Sequence, residues 1–531
     1  MFTLRKVFNL GALFMLLFVA ACAPAAPAAT EPAGNSGTVE EYAATEAPAA
    51  EEPLYAAAPA NQSHYFPTAM PPSGQDPYDM FFEDYGVNPS IDTEDDNLST
   101  FALDVDTGSY TVARSYLQDG NMPPSDAIRV EEFVNYFDQD YANPSEHQAF
   151  NISVDGGPSP FTLTERYDML RVGIQGYQVP EWERKDASLV FVIDVSGSMS
   201  MDNRLGLVKR SLELLVEQMR STDQVAIVVY GTDARVVLDP TPGSAKGRIL
   251  SAIYSLEPEG STNAEAGLRL GYRVALKNYL AGGINRLILC SDGVANVGQT
   301  EADAILDEVH GYVEEGVTLT TIGFGMDNYN DTLMEQLADN GDGFYAYVDD
   351  MNEAERLFVD KITGTLQTIA LDAKVQVEFD TNVVARYRLV GFENRAVADD
   401  QFRDNTVDAG EIGAGHSVTA LYEVKLRPEA YGRIATVYLR WEDPDTHQVV
   451  EVSKDFYTEE MSREFHDTSP FFQRTVIVAE FAEILKQSYW SEGSSLSDVY
   501  REAERLSEYL PRDEDWQEFV DLVRIVRRLW N

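Results

Sequence analysis

The clearest feature of the chain is the run Leu189-Val190-Phe191-Val192-Ile193, five apolar residues with no polar interruption. A strand exposed on one face would alternate, so this run predicts a strand buried on both faces, as in a parallel sheet. Beyond it, Leu205, Val208, Leu212, Leu215 and Met219 recur at spacings of three and four, the period of an amphipathic helix. Val225–Tyr230, Leu287–Cys290, Val317–Gly323 and Phe344–Val348 are further strand-like runs, separated by helical stretches. This rhythm predicts a doubly wound, mostly parallel α/β domain over residues 186–368, with ligands expected at the carboxyl ends of its strands.

The flanks have other periods. Residues 76–185 read as an α+β region: a strand over Leu98–Asp106, a helix around Tyr110–Leu117, a break at Pro123-Pro124, and a helix with Val130, Phe133, Val134 and Phe137 on one face. Strands follow, with alternation in Met169-Leu170-Arg171-Val172-Gly173-Ile174. After Leu371 the period is two: Ala373, Val375, Val377 and Phe379 alternate with Lys374, Gln376 and Glu378. Val418–Tyr422, Ile434–Leu439 and, past an Asp443-Pro444-Asp445 turn, Val449–Val452 continue it, predicting a small antiparallel β domain over 369–458. Residues 459–531 turn helical (Val476, Ala479, Ile484, Leu485; then Phe519, Val523, Val526) and are expected to pack back on the β domain or the α/β core.

The amino terminus changes the picture. Arg5 and Lys6 precede a short apolar stretch, Val7–Ala21, below the ~20 residues that span a bilayer, so residues 1–21 read as an export signal. Val19-Ala20-Ala21-Cys22 resembles a bacterial lipobox, which implies lipidation of Cys22. Residues 22–75 are rich in Ala, Pro, Thr and Glu and poor in large aliphatics, the composition of a disordered tether. The expectation is an exported protein, lipid-anchored to a bacterial membrane and facing the periplasm or the exterior. Cys290, the other cysteine, lies within an apolar run and reads as a buried strand residue. A formal net charge of −48 argues against nucleic acid as a partner, because phosphate binding needs basic patches. The same charge is compatible with bound divalent cations.

Candidate chemistry follows the first buried strand. Asp194, Ser196 and Ser198 sit in the loop it leads into. Gly260-Ser261-Thr262-Asn263 precedes a helix containing Leu268 and Leu270 and offers the Thr262 hydroxyl, and Asp292 ends another buried strand ahead of Gly293. Oxygen donors alone suit a hard cation such as Mg²⁺, Ca²⁺ or Mn²⁺, of which Mg²⁺ is the cation expected here.

These five residues, in this order and at these strand ends, resemble the metal-ion-dependent adhesion site of von Willebrand factor type A and integrin I domains. The resemblance implies that Ser196, Ser198 and Thr262 bind the metal directly and that Asp194 and Asp292 act largely through water. A cation held by neutral hydroxyls keeps much of its charge and an open position, so a protein partner is expected to offer it a carboxylate. Phe101–Tyr110, Pro123-Pro124, Arg129–Phe133 and Asn135-Tyr136-Phe137 are similar to the amino-terminal region of YfbK-like bacterial lipoproteins that carry such a domain.

Enzyme motifs fit less well. Leu103-Asp104-Val105-Asp106 resembles the strand end of haloacid-dehalogenase-type phosphatases, but the fifth position is Gly108, with Thr107 one place early. The two acids are expected to form a turn or cap the next helix. Asp339-Asn340-Gly341-Asp342-Gly343 lacks the third and twelfth ligands of an EF-hand and reads as a turn. No histidine pair has zinc spacing, and Ser196 is not in a nucleophile elbow. The expectation is a binding protein and not an enzyme; the alternatives are an envelope protein with a purely stabilising metal and a metal-dependent hydrolase or phosphatase.

Overall fold

The computed structural model describes residues 80–530, apart from 146–147, 162–166, 294–304, 307–308, 314 and 327–328. The expected export signal, Cys22 and the tether lie outside the described residues. No described helix is long and apolar enough to cross a membrane.

The buried run becomes the strand Ala187–Asp194, with every residue buried. It pairs in parallel with Gln224–Tyr230 on one side and Ile284–Ser291 on the other. Thr318–Gly323 and Tyr345–Tyr347 extend the parallel sheet beyond Ile284–Ser291. The opposite edge is the antiparallel strand Ala234–Pro242. That strand is absent from the sequence expectation, and it carries Pro240 and Pro242. An edge position tolerates both, since a ladder there needs donors on one side only.

Alternation along the strands serves two cores. Leu189, Phe191 and Ile193 face the helices Arg204–Gln218 and Lys246–Tyr254, packing on Leu205, Val208, Leu212, Ile249 and Ile253. Val190 and Val192 face Ala264–Lys277 and Asp331–Asp339 through Leu268, Tyr272, Leu333 and Leu337. This is the doubly wound α/β class expected. Cys290 is fully buried, and burial raises its thiol well above the ordinary value, so it is an inert strand residue.

The flanking segments, 76–185 and 369–458, share two antiparallel sheets. Leu98–Ala102 pairs with Lys374–Glu378 of the long strand Thr368–Phe379, which also carries Gly410–Gly413 and Arg433–Glu442, with Val449–Tyr457 outermost. The second sheet runs Ile91–Asp92, Val384–Val390, Ser417–Leu426, Asp168–Gly176, Phe150–Pro158. Phe101, Val172, Val375, Phe379, Tyr422 and Val437 interdigitate between the sheets, so the α/β domain is inserted into a β-sandwich.

The helices Pro470–Leu485, Leu496–Leu506 and Glu514–Leu529 cover the second sheet through Met169, Val390 and Leu421. They share this layer with the helices Gly108–Gln118 and Val130–Tyr136, where Tyr110, Phe133 and Phe137, the residue just after the second helix, join Trp516 and Phe519 in one aromatic cluster. Ser469 starts the first of the three, its Oγ accepting from the Phe472 N–H at 3.1 Å, with Pro470 in the position where a missing N–H loses nothing.

Gly410 shows how closely the segments meet. A Cβ there would run into the Leu103 carbonyl oxygen, a backbone atom that cannot rotate away. Gly410→Ala is expected to lower stability by about 1–3 kcal/mol, the usual range for overpacking, as read by urea denaturation. An unchanged midpoint would mean that the two strands can separate without loss.

Candidate metal centre

The first strand, Ala187–Asp194, sends the chain to one side of the sheet, through Gln224–Tyr230 and Ala234–Pro242. The chain then returns to Ile284–Ser291 on the other side. The gap between the carboxyl ends of Ala187–Asp194 and Ile284–Ser291 is therefore the topological switch point, where neither crossover covers the sheet edge. Asp194 ends one of these strands, and Asp292 directly follows the other.

Asp194 is fully buried. Its Oδ1 accepts from the Ser196 N–H at 2.7 Å and its Oδ2 from the Ser291 hydroxyl at 3.0 Å. These bonds fix the carboxylate and turn the chain so that the Ser196 and Ser198 Oγ atoms stand 3.0 Å apart. Burial, followed after the opposing Ser196 bond by the Asp292 charge, pushes the Asp194 carboxyl up to about 6. Asp292 is also raised by burial, against hydrogen bonds from Ser198 and Arg204. Two buried carboxylates, one of them held up further by the charge of the other, beside two hydroxyls, are a donor set that a hard cation would relieve.

Thr262 is half-buried in the loop before Ala264–Lys277, whose first turn is capped by Asn263 Oδ1 on the Ala266 N–H at 3.1 Å. That loop is tied to the serine loop by the Gly197 N–H on the Gly260 carbonyl at 3.2 Å. Gly260 has φ +73°, and a Cβ there would run into the Thr232 hydroxyl, so glycine is required for the loop to approach. The strand ends and the serine loop thus bring Asp194, Ser196, Ser198 and Asp292 together, and Thr262 sits on the adjoining loop.

Two participants were not picked out from the sequence. Arg204 Nη1 donates to Asp292 Oδ2 at 2.9 Å, with both side chains buried. Ser291 holds the second oxygen of Asp194. Ser291 was legible as a hydroxyl beside Asp292; Arg204 carried no signal, because it reads as an ordinary first-turn residue of its helix.

Asp104 and Asp106, weighed as a catalytic pair, are locked in place. Asp104 accepts from the Asp106 N–H at 2.7 Å and from Arg395 Nε at 3.0 Å, and Asp106 from the Tyr345 N–H at 3.0 Å. The turn expected for these acids is present. The cap is not: the Ser109 N–H at the start of the next helix is taken by Glu132 Oε2 at 2.7 Å. Residues 340–343 form the expected turn, which brings Asp342 within metal-ligand reach of Asp408 and Glu411, a proximity no local pattern encodes.

Comparison with known proteins finds matches over much of the chain. Residues 188–360 match the von Willebrand factor type A domain family, 76–169 a family described as von Willebrand factor, and 364–433 the family of the carboxyl-terminal region of uncharacterized protein YfbK. Uncharacterized protein YfbK of Escherichia coli (strain K12) is 42% identical over 352 residues, covering 65% of this chain and 61% of that protein, less than two thirds of its length. Inter-alpha-trypsin inhibitor heavy chain H3 of Homo sapiens is 25% identical over 209 residues, 37% of this chain and 23% of its own. A solved von Willebrand factor type A structure from Catenulispora acidiphila aligns over 72% of this chain and 91% of its own at 14% identity, with a TM-score of 0.44. The chain is a YfbK-like protein that carries a von Willebrand factor type A domain at residues 188–360.

Proposed function

We propose that this chain is an exported, lipid-anchored envelope protein that holds a protein partner through a divalent cation in its von Willebrand factor type A domain. It acts by binding and not by catalysis. Domains of this type serve protein–protein interaction and commonly bind divalent metal. Asp194, Ser196, Ser198, Thr262 and Asp292 would hold the ion, Mg²⁺ foremost and Ca²⁺ or Mn²⁺ as alternatives. The partner would offer a carboxylate, Cys22 would carry the lipid, and nucleic acid is not a partner.

The observation that carries the reading is the meeting of Asp194 and Asp292 at the switch point, beside hydroxyls 3.0 Å apart. When bound, the ion supplies a positive centre able to accept a further oxygen ligand. The protein's part is positional: Ser291 and the Ser196 amide orient Asp194, and Arg204 holds one oxygen of Asp292. A purely stabilising metal is disfavoured because the serine and threonine loops are already joined by the Gly197–Gly260 bond. Catalysis by Asp104 is disfavoured because both its oxygens are engaged in a buried network.

The test has two readings. At a hundredfold excess over Kd, Mg²⁺ is expected to stabilise the wild type by about 2.7 kcal/mol, and Ser196→Ala to lose most of that gain. In pull-downs from envelope extracts, partners should be retained with Mg²⁺ and lost with EDTA or Ser196→Ala. Equal retention in every condition would sink the reading in favour of a scaffold whose contacts lie elsewhere.

A further inference from the structure

Away from the switch point, three carboxylates from three elements meet in the interior: Asp104 after the strand Leu98–Ala102, Glu132 of the helix Val130–Tyr136 and Glu335 of the helix Asp331–Asp339. One oxygen of each lies within 4.8 Å of the others, and the residues are 5%, 0% and 3% exposed. Asp106, Asp331 and Asp339 adjoin them.

Two guanidiniums enter this group. Arg129 pairs with Glu132 and, at 2.8 Å, with Asp331; Arg395 pairs with Asp104 and Glu335 at 3.0 Å and with Asp339 at 2.7 Å. Six carboxylates therefore face two fixed positive charges. Buried charge is tolerated when paired, and this set has far more negative charge than its arginines compensate.

A second observation singles out one oxygen. Glu335 Oε1 accepts from Arg395 Nη2 and from the Asn394 amide at 2.7 Å, but Oε2 is buried and accepts no hydrogen bond. The nearby Arg129 Nη1 stands 3.6 Å from it, beyond hydrogen-bond reach. A carboxylate oxygen this deep in the protein lacks the donor that buried oxygens ordinarily find. Its neighbours Asp104 and Glu132 each spend one lone pair per oxygen on a donor and keep the other.

We propose that Asp104, Glu132 and Glu335 form a second cation site, distinct from the switch-point centre, that takes a calcium-type divalent ion. Asp104 and Glu132 supply two oxygens each and Glu335 its free Oε2, up to five in irregular geometry with almost no access to water. That suits Ca²⁺, which sheds water readily, over Mg²⁺, which keeps several waters in a strict octahedron. The ion would join the amino-terminal segment to the last part of the α/β domain, next to Arg395 of the sandwich, and so fix the inserted domain in its frame. The site stands apart from the reading of the first centre, since it shares no residue with it.

The experiment uses the full chain in the Ser196→Ala background, stripped with EDTA and titrated with CaCl₂ or MgCl₂ while the melting temperature is followed. Calcium content is measured in parallel after gel filtration. The expected result is a rise in Tm that persists in Ser196→Ala, is larger with Ca²⁺ than with Mg²⁺, and disappears in Ser196→Ala/Glu335→Gln. About one Ca²⁺ per chain should be retained before the second substitution and none after it. Glu335→Gln removes a charge from an over-acidic cluster and keeps the shape; Asp104→Asn is the second variant should it fail to fold. Absence of calcium from folded Ser196→Ala, or an undiminished calcium response in folded Glu335→Gln or Asp104→Asn, overturns the proposal. Loss of the Mg²⁺ response in Ser196→Ala reports on the first centre alone.

Discussion

Replacing Arg395 with Met is expected to reduce the unfolding free energy by about 3–5 kcal/mol in EDTA, the range seen when one partner of a buried ion pair is removed. Each of its three guanidinium nitrogens meets a different acid: Nε on Asp104 at 3.0 Å, Nη2 on Glu335 at 3.0 Å and Nη1 on Asp339 at 2.7 Å. Methionine fills much of the same volume, so the loss would be electrostatic and not a cavity. Adding Glu335→Gln should recover part of it, because the double variant buries one uncompensated charge fewer. Urea unfolding of the two variants against wild type checks both parts. A loss below about 1 kcal/mol would mean that the acids neutralise themselves when the guanidinium goes.

The second large effect is a stability that falls as pH rises through neutrality. Burial, with help from the Glu393 charge, pushes Glu131 up from 4.5 to about 7. Burial does the same to Glu480, against a hydrogen bond from Ser494. Asp349 is raised by burial from 3.8 to about 6 despite Arg114 at 2.6 Å. In each case the folded state holds the proton more tightly than the unfolded chain. The stabilisation is therefore fully present below the ordinary carboxyl values and is lost as pH rises through about 6 to 7. The net charge of −48 acts in the same direction, since self-repulsion grows as the last carboxyls ionise. Urea midpoints in EDTA should be higher at pH 5.5 than at pH 8.5, with Glu480→Gln flattening part of the slope. A midpoint that climbs toward pH 8.5 would contradict the prediction.

The α/β domain was legible from local pattern because its interior strands are continuous apolar runs and its helices keep one apolar stripe, as in Leu189–Ile193 and Leu205–Met219. The candidate ligands were legible for a related reason: a parallel sheet brings its strand ends to one edge, so Asp194 and Asp292 could be placed without knowing the fold in detail. The sandwich was not. Its two sheets mix strands from either side of the inserted domain, and the period of two in Ala373–Phe379 says which face is buried but not which strand is the neighbour. The acid cluster escaped for the same reason. Asp104, Glu132, Glu335 and Arg395 lie in four separate parts of the sequence, the Asp104 motif reads locally as a turn, and only the tertiary fold brings the four together and shows their charge imbalance.

The pairing of Leu98–Ala102 with the strand after the α/β domain also sets an order of events. Thr100 Oγ1 accepts a hydrogen bond from Gln376 across a sequence separation of 276 residues. The early strand must therefore wait, unpaired, until the whole inserted domain has been synthesised, and closing so long a loop carries an entropic cost before any ladder bond repays it. The inserted domain draws its sheet from one continuous stretch and can close first, which shortens the effective loop between the two sandwich strands. During that interval Leu98–Ala102 is an open edge able to pair with another nascent copy. Chains truncated before residue 368 are expected to aggregate through that strand, which ties the yield of this protein to uninterrupted synthesis of its second half.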